Sequence, residues 1–161
     1  MGIKVGVLSD THLYGVNNAF QRIFDRHLSD ADMILHAGDY VSEEIVLFLE
    51  KTRFHGVQGN MDSPAIKESL PDRKVITIGS FRVGLVHGWG PSRGLEERIL
   101  KEFQPVDLLV YGHSHTPCDH VKGGVRLFNP GTATGFASGG NHSIGILTID
   151  REIHGEIIPV D

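Results

Sequence analysis

Leu108-Leu109-Val110-Tyr111-Gly112-His113-Ser114-His115-Thr116 is an apolar run closed by a glycine, with two histidines one residue apart just after it. In an extended segment, residues i and i+2 point to the same side. The spacing therefore predicts two imidazoles facing one spot at the end of a strand. Neutral imidazole is the commonest metal ligand. A histidine pair in a surface loop is also commonplace, so the weight of the reading rests on whether other strands end alike.

They do. Residues 3–9 form a short β-branched apolar run, and Asp10-Thr11-His12 follows at once. Residues 33–36 read as a second strand, closed by Ala37-Gly38-Asp39, and residues 52–58 as a third, closed by Gly59-Asn60-Met61-Asp62. Residues 74–78 and 81–86 read as a hairpin around Gly79-Ser80, and its second arm runs into His87-Gly88. Most of these positions sit beside a glycine. In open α/β sheets, ligands bind outside the carboxyl ends of the strands. Asp10, His12, Asp39, Asn60, His87, His113 and His115 are all oxygen or nitrogen donors at such ends. Singly, each has a plain alternative. Asp10 could cap a turn, Asp39 and Asn60 could make Asx turns, and His87 could be a satisfied core histidine. Jointly these alternatives require every donor to fall at a strand end by chance.

Between the strands, Phe20, Ile23, Phe24, His27 and Leu28 repeat at helical spacing. Ser42 reads as the N-cap of a second helix, with Glu43 and Glu44 in its first turn and residues 45–49 as its body. Ser63-Pro64 reads as the start of a short irregular piece. Pro91 and Ser92 introduce a third helix with Leu95, Ile99 and Phe103 on one face. Residues 107–111 are the strand before the His pair. Residues 120–122, 125–128, 143–149 and 152–159 read as closing strands, turned at Gly123-Gly124 and Asp150-Arg151. Units of βαβα open the chain and hairpins close it. That order predicts an α/β fold, a two-sheet β-sandwich flanked by helices, as one domain over residues 1–161.

Composition narrows the function. A formal net charge of −5 argues against a general nucleic-acid or anionic-membrane surface. No apolar run approaches the ~18 residues of a membrane span, and residues 1–8 are too short and β-like for a secretory signal. The single cysteine, Cys118, excludes an intramolecular disulfide and fits a reducing, cytoplasmic setting. The pattern leaves a homo-oligomer open. There is no G-x-G-x-x-G after a strand and no Walker A sequence, so nicotinamide and P-loop nucleotide readings are poor.

The donor set is too large for one metal and suits two. Such pairs lie ~3.5–4 Å apart and clamp the attacking and leaving oxygens of an in-line displacement. Two divalent ions with Asp10, Asp39 and a bridging hydroxide leave one net positive charge, which favours an anionic substrate and transition state. A phosphate-ester small molecule fits better than a neutral ester. Histidine and aspartate donors suit Mn, Fe, Ni, Co or Zn better than Mg or Ca.

With these motifs in order, the sequence resembles the calcineurin-like metallophosphoesterases. It resembles in particular the small bacterial and archaeal phosphodiesterases related to the retromer subunit of the same fold. The matching stretches are Asp10-Thr11-His12, Gly38-Asp39, Gly59-Asn60-Met61-Asp62, His87-Gly88, Gly112-His113-Ser114-His115-Thr116 and the late turn Asn129-Pro130-Gly131-Thr132. The resemblance implies a metal-dependent phosphodiesterase with two divalent metal ions, manganese first. It implies that Asp10, His12, Asp39 and His115 hold one ion, and that Asp39, Asn60, His87 and His113 hold the other, with Asp39 bridging. It also implies a hydroxide between the ions as nucleophile and Asn60 at a phosphoryl oxygen, so that Asp39, Asn60 and His87 are the catalytic set. A phosphomonoesterase with the same dinuclear site, and a scaffold that binds partner proteins and has lost catalysis, are the alternatives.

Two departures stand out. Many phosphatases of the superfamily carry a histidine where this chain has Met61, and Met cannot donate a proton. Relatives often carry a Pro-Arg pair after the late turn, where this chain reads Ala133-Thr134-Gly135-Phe136. Among the remaining residues, His36 reads either as a support for a ligand or as a buried structural histidine. Asp62 either orients a neighbouring group or caps the next turn. His27, His55, His120, His142 and His154 read as surface or packing residues, and Cys118 as a small buried hydrophobe.

Overall fold

The computed structural model describes residues 2–160. Ten strands fall into two sheets. The first holds β1 (Ile3–Leu8), β2 (Met33–His36), β3 (Phe54–Gly56), β9 (Ser143–Ile149) and β10 (Ile153–Pro159), in the order β10-β9-β1-β2-β3. The second holds β4 (Arg73–Ile78), β5 (Phe81–Val86), β6 (Leu108–Val110), β7 (Cys118–Lys122) and β8 (Val125–Asn129), in the order β4-β5-β6-β8-β7. The helices are α1 (Asn18–Ile23), α2 (Glu43–Leu49), α3 (Pro64–Ser69) and α4 (Leu95–Leu100). The expected two-sheet sandwich flanked by helices is the observed architecture.

Alternation along the strands builds the layers. Val5, Val7, Leu35, Leu147 and Ile149 of the first sheet pack on Val83, Leu85, Leu108, Val110 and Phe128 of the second. Their neighbours face outward. Leu8, Ile34, Ile144 and Ile146 meet Phe20 and Ile23 of α1, Ile45 and Leu49 of α2 and Ile66 of α3. Leu109 and Leu127 meet Leu95 and Ile99 of α4, with Phe103 packed beside them just past the helix end. Strands β1, β2 and β3 run parallel, as do β5, β6 and β8, while the other pairings are antiparallel. Parallel strands deliver their carboxyl ends to one edge, which is where the donor residues lie.

Several elements differ from the expectation. The third strand covers only Phe54–Gly56, and β6 only Leu108–Val110, because the residues around them leave the ladder to form the edge loops. The irregular piece after Ser63 is helix α3: the Ser63 hydroxyl caps Ile66 N–H at 3.3 Å and Pro64 sits in the first turn, where its missing N–H costs nothing. Past Ile23, α1 widens into a π turn over Phe24–Leu28. Ser42 caps α2 as expected, accepting from Glu44 N–H at 3.2 Å. No helix among the described residues is long and apolar enough to cross a membrane.

Candidate metal centre

The loop after β1 is laced to the loop after β2. Asp10 N–H donates to the Gly38 carbonyl at 2.9 Å, and His12 N–H to the Asp39 carbonyl at 3.1 Å. To keep this pairing while turning side chains inward, the backbone adopts left-handed conformations at non-glycine residues. Asp10, His12, Asp39, His113 and His115 have φ of 53°, 44°, 64°, 70° and 60°. Such conformations cost about 1 kcal/mol or more each and gather where function holds them. They also correct one expectation. His113 and His115 lie beyond the strand in left-handed backbone, not in an extended segment, and they take different partners.

Each buried carboxylate has one oxygen pinned and one left open. Asp10 Oδ2 accepts from Ser9 Oγ at 2.6 Å and from His113 N–H at 3.1 Å. Its Oδ1 is buried without a hydrogen-bond partner and lies 3.2 Å from His115 Nε2. Asp39 Oδ1 accepts from Met61 N–H at 2.8 Å. Its Oδ2 lies between His12 Nε2 at 3.4 Å and His87 Nε2 at 3.3 Å. His12 Nε2 is likewise buried and unpartnered.

Tautomers sharpen the picture. His87 Nδ1 is 2.8 Å from the Ala37 carbonyl and donates to it, so a neutral His87 turns the Nε2 lone pair towards Asp39 Oδ2 and Asn60 Oδ1, the latter at 3.0 Å. Lone pairs facing lone pairs in a buried place require a cation. The donor atoms of Asp10, His12 and His115 lie within 4.8 Å of one another, and so do those of Asp10, Asp39 and His87. These donors fit divalent metals. His113 joins neither trio. Its ring packs edge-on against His87 at 5.2 Å, and Nε2 donates to the Gly90 carbonyl at 2.8 Å, so that only Nδ1 would be available to a metal.

Comparison with known proteins agrees with this geometry. Residues 3–152 match the calcineurin-like phosphoesterase superfamily domain. The chain belongs to that superfamily. It is 37% identical over 159 residues to a protein of Methanothermobacter thermautotrophicus named a probable metallophosphoesterase, covering 96% of this chain and 91% of the relative. A protein of Methanocaldococcus jannaschii with the same description is 32% identical over 164 residues, covering 98% and 81%. The solved structure of vacuolar protein sorting 29 from Cryptosporidium parvum is similar at 26% identity and a TM-score of 0.73, covering 99% and 98% of the two chains.

Around the donors of this superfamily member lies a set of supports that local sequence pattern does not reveal. Asp62 is a staple, not a turn cap. Its Oδ2 accepts from Asp39 N–H at 3.0 Å and Gly59 N–H at 2.7 Å, and its Oδ1 from Val41 N–H at 2.8 Å, so one carboxylate ties two donor loops together. His36 is buried and stacks on Tyr40 at 3.8 Å. Its Nδ1 accepts from Gly38 N–H at 3.0 Å, so Nε2–H donates to Thr11 Oγ1 at 3.3 Å. It thus joins the residues next to Asp39 and Asp10 and binds neither carboxylate. From the late turn, Asn129 Nδ2 donates to Gly112 O and Ser114 Oγ, and Thr132 Oγ1 to Asp10 O at 2.8 Å. A Cβ on Gly112 would lie 2.0 Å from Ser9 Oγ and 2.6 Å from Asp10 Oδ2, which explains a glycine directly before the His pair. Phe136, in the stretch lacking Pro-Arg, stacks on His12 at 3.9 Å and covers the outer face of that ring.

Electrostatics follow from burial and pairing. Burial would raise the pKa of Asp10, but the His115 imidazole 3.2 Å away, the His87 charge and the Ser9 hydroxyl bring it below the ordinary value. For Asp39, burial is likewise overcome, by the His87 bond and charge and by Met61 N–H. Burial would depress His87, yet Asp39 and Asp10 raise its pKa. The Asp10 carboxylate beside it does the same for His115. Burial leaves His12 below its ordinary value despite both carboxylates. The carboxylates thus favour positive charge at His87 and His115, as they would favour a cation among them.

Two outcomes are expected. Asp62→Asn replaces an acceptor with an amide that cannot serve three N–H donors, so metal affinity measured by calorimetry falls by about 10–100-fold. Unchanged affinity would show that the loops hold their places without the staple. Burial lowers the pKa of His36 from 6.5 to about 3. Its imidazole nitrogen signals therefore remain those of the neutral Nε2–H form from about pH 8 to pH 5. The unfolded chain takes up that proton first, so His36 makes folding stability fall as pH drops below about 6.5. A midpoint near neutrality in the nitrogen signals would refute this.

Proposed function

We propose that this protein is a metal-dependent phosphodiesterase acting at a dinuclear centre held by Asp10, His12, Asp39, Asn60, His87, His113 and His115. The observation that carries the reading is the open face of the two carboxylates: Asp10 Oδ1 and His12 Nε2 are buried and unpaired, and Asp39 Oδ2 faces two imidazole nitrogens. Bound there, two divalent cations would lower the pKa of a water and offset negative charge on a phosphate diester. Mn, Fe, Ni, Co and Zn all suit such a donor set, and the family resemblance puts manganese first.

The chain's own groups then set the chemistry. Asp39, central to both imidazoles, is the bridging carboxylate in this reading. Asn60 is exposed beside His87, so its amide is free to contact a phosphoryl oxygen. Lys67 donates to the Asn60 carbonyl at 3.2 Å, and both line a pocket of about 170 Å³ with His87, Arg73 and Trp89. Arg73 is paired there with Glu102 and Asp72, so Lys67 and Trp89 are the cation and the aromatic face that the pocket offers to an aryl or nucleoside phosphate ester. Met61, 55% exposed at the rim, has no proton to give a leaving group. Substrates whose leaving groups depart without protonation, such as aryl diesters, are therefore preferred over alkyl monoesters. The scaffold alternative sits poorly with donors kept buried and unpaired.

Metal-stripped protein assayed on bis(p-nitrophenyl) phosphate and p-nitrophenyl phosphate, with Mn²⁺, Ni²⁺, Zn²⁺ or Mg²⁺ added, is expected to cleave the diester faster. Asp39→Ala should lower that rate on the order of 10²-fold or more. Absence of turnover with every metal despite bound ions would favour the scaffold. Met61→His should raise turnover of alkyl monoesters towards the ~10²-fold that a positioned acid contributes. An unchanged rate would remove the support for a leaving-group limit at this position.

A further inference from the structure

Cys118 and His120 belong to none of the interactions described so far, and Cys118, expected as a small buried hydrophobe, is half-buried beside polar groups. Both lie on β7, two positions apart, so their side chains leave the same face of the strand. Helix α4 lies opposite and presents Glu96. Donor atoms of Glu96, Cys118 and His120 lie within 4.8 Å of one another. Glu96 Oε2 is 2.6 Å from His120 Nε2 and 3.8 Å from Cys118 Sγ, while its Oε1 faces Lys122 Nζ at 3.9 Å. Tyr111 O–H donates to Glu96 Oε2 at 2.6 Å, and its oxygen lies 2.9 Å from Cys118 Sγ.

We propose that Glu96, Cys118 and His120 form a separate zinc site on the outer face of the second sheet. Thiolate, imidazole and carboxylate make a mixed donor set that suits zinc and disfavours magnesium, calcium and manganese. Zinc bonds of about 2.0–2.3 Å place tetrahedral neighbours about 3.4–3.6 Å apart. The sulfur–oxygen separation of 3.8 Å has to close by only a few tenths of an ångström, on the order of the spread in such bonds. The His120–Glu96 hydrogen bond has to open by somewhat less than 1 Å, within reach of an exposed imidazole at a strand edge. Three protein donors leave a fourth position for water. It opens on a groove of about 400 Å³ lined by Glu96, Tyr111, Ser114, Thr116, Cys118 and Lys122. Thiolate and carboxylate together neutralise the ion. Because the thiol must lose its proton, binding releases one. The loaded site ties α4 to β7 directly behind the His113-Ser114-His115 loop, and it sorts metals by softness: sulfur outside, oxygen and nitrogen within.

The test uses the fact that Cys118 is the chain's single cysteine. A thiolate-to-cobalt charge-transfer band can therefore arise at this site alone, whatever fills the Asp and His donors. On titrating the full-length chain with Co²⁺, a saturable band is expected, bleached by Zn²⁺ and absent in Cys118→Ser. His120→Ala, a substitution at an exposed side chain, should require roughly tenfold more Co²⁺ or higher for half-saturation. Glu96→Gln should do likewise. Absence of the band at saturating Co²⁺, or a band whose midpoint moves in neither His120→Ala nor Glu96→Gln, would overturn the proposal. Neither result bears on the phosphodiesterase reading, whose donors include no sulfur.

Discussion

Two carboxylates, Asp10 and Asp39, are buried together where two sheets bring their strand ends to one edge. Burying one anion is costly, and burying two within reach of the same imidazoles adds repulsion. The fold removes part of the cost with hydrogen bonds from Ser9 Oγ, His113 N–H and Met61 N–H, but these all go to one oxygen of each group. The other oxygens are turned towards histidine nitrogens. An architecture selected for stability alone would have given those oxygens donors as well, or replaced the carboxylates with apolar groups. The pairing is incomplete in the one direction where positive charge has to enter, and the rest of the edge is built to keep it so.

That purpose accounts for the strain. Left-handed backbone at Asp10, His12, Asp39, Val41, His113 and His115 persists only where surroundings over-determine it. Here they do: loop-to-loop backbone bonds hold the first two turns, Asp62 ties the second to the third, and Asn129 and Thr132 reach in from the late turn. The glycines serve the same end. A Cβ on Gly59 would lie 2.2 Å from Asp39 Oδ1, so the third loop approaches the carboxylate only because that side chain is missing. Rigid sheets set the spacing, and the loops aim the donors.

What the sequence made legible follows from range. The apolar runs of β1, β6 and β9 are local patterns, and the order of strands, helices and hairpins along the chain predicts the sandwich. Donor identity at strand ends is local too, so Asp10, Asp39, Asn60 and His87 could be picked out before any coordinates. Aim is not local. The His113-Ser114-His115 stretch was read as extended, but its direction is set by a bond from His113 N–H to Asp10, 103 residues away. Thr132 acts on Asp10 across 122 residues. The sequence leaves Asp62 open between orienting a neighbour and capping a turn, because of its N–H partners only Gly59 is near in the chain, while Asp39 and Val41 come from another loop. Helix α3 was missed for a different reason: at six residues it offers too little periodicity to outweigh the Ser63-Pro64 break signal, although that same pair caps its start.

The placement of the chain's thiol follows from the same electrostatics. A thiolate at the edge where the carboxylates meet would add a third buried anion and a soft ligand to a site whose open oxygens and imidazoles suit harder ions. Cys118 lies instead across the sheet, where Tyr111 and Glu96 meet it and Lys122 balances the local negative charge. Tyr111 follows β6 directly and leads into Gly112 and His113, so the two arrangements lie on one stretch of chain, one on the outer face of the sheet and one at its carboxyl edge. Inside, Val110 packs in the core between the sheets; outside, Tyr111 packs with α4. Alternation turns Tyr111 out towards Cys118, and the end of the strand carries His113 and His115 to the carboxyl edge, so two different donor sets stay apart within a few residues of chain.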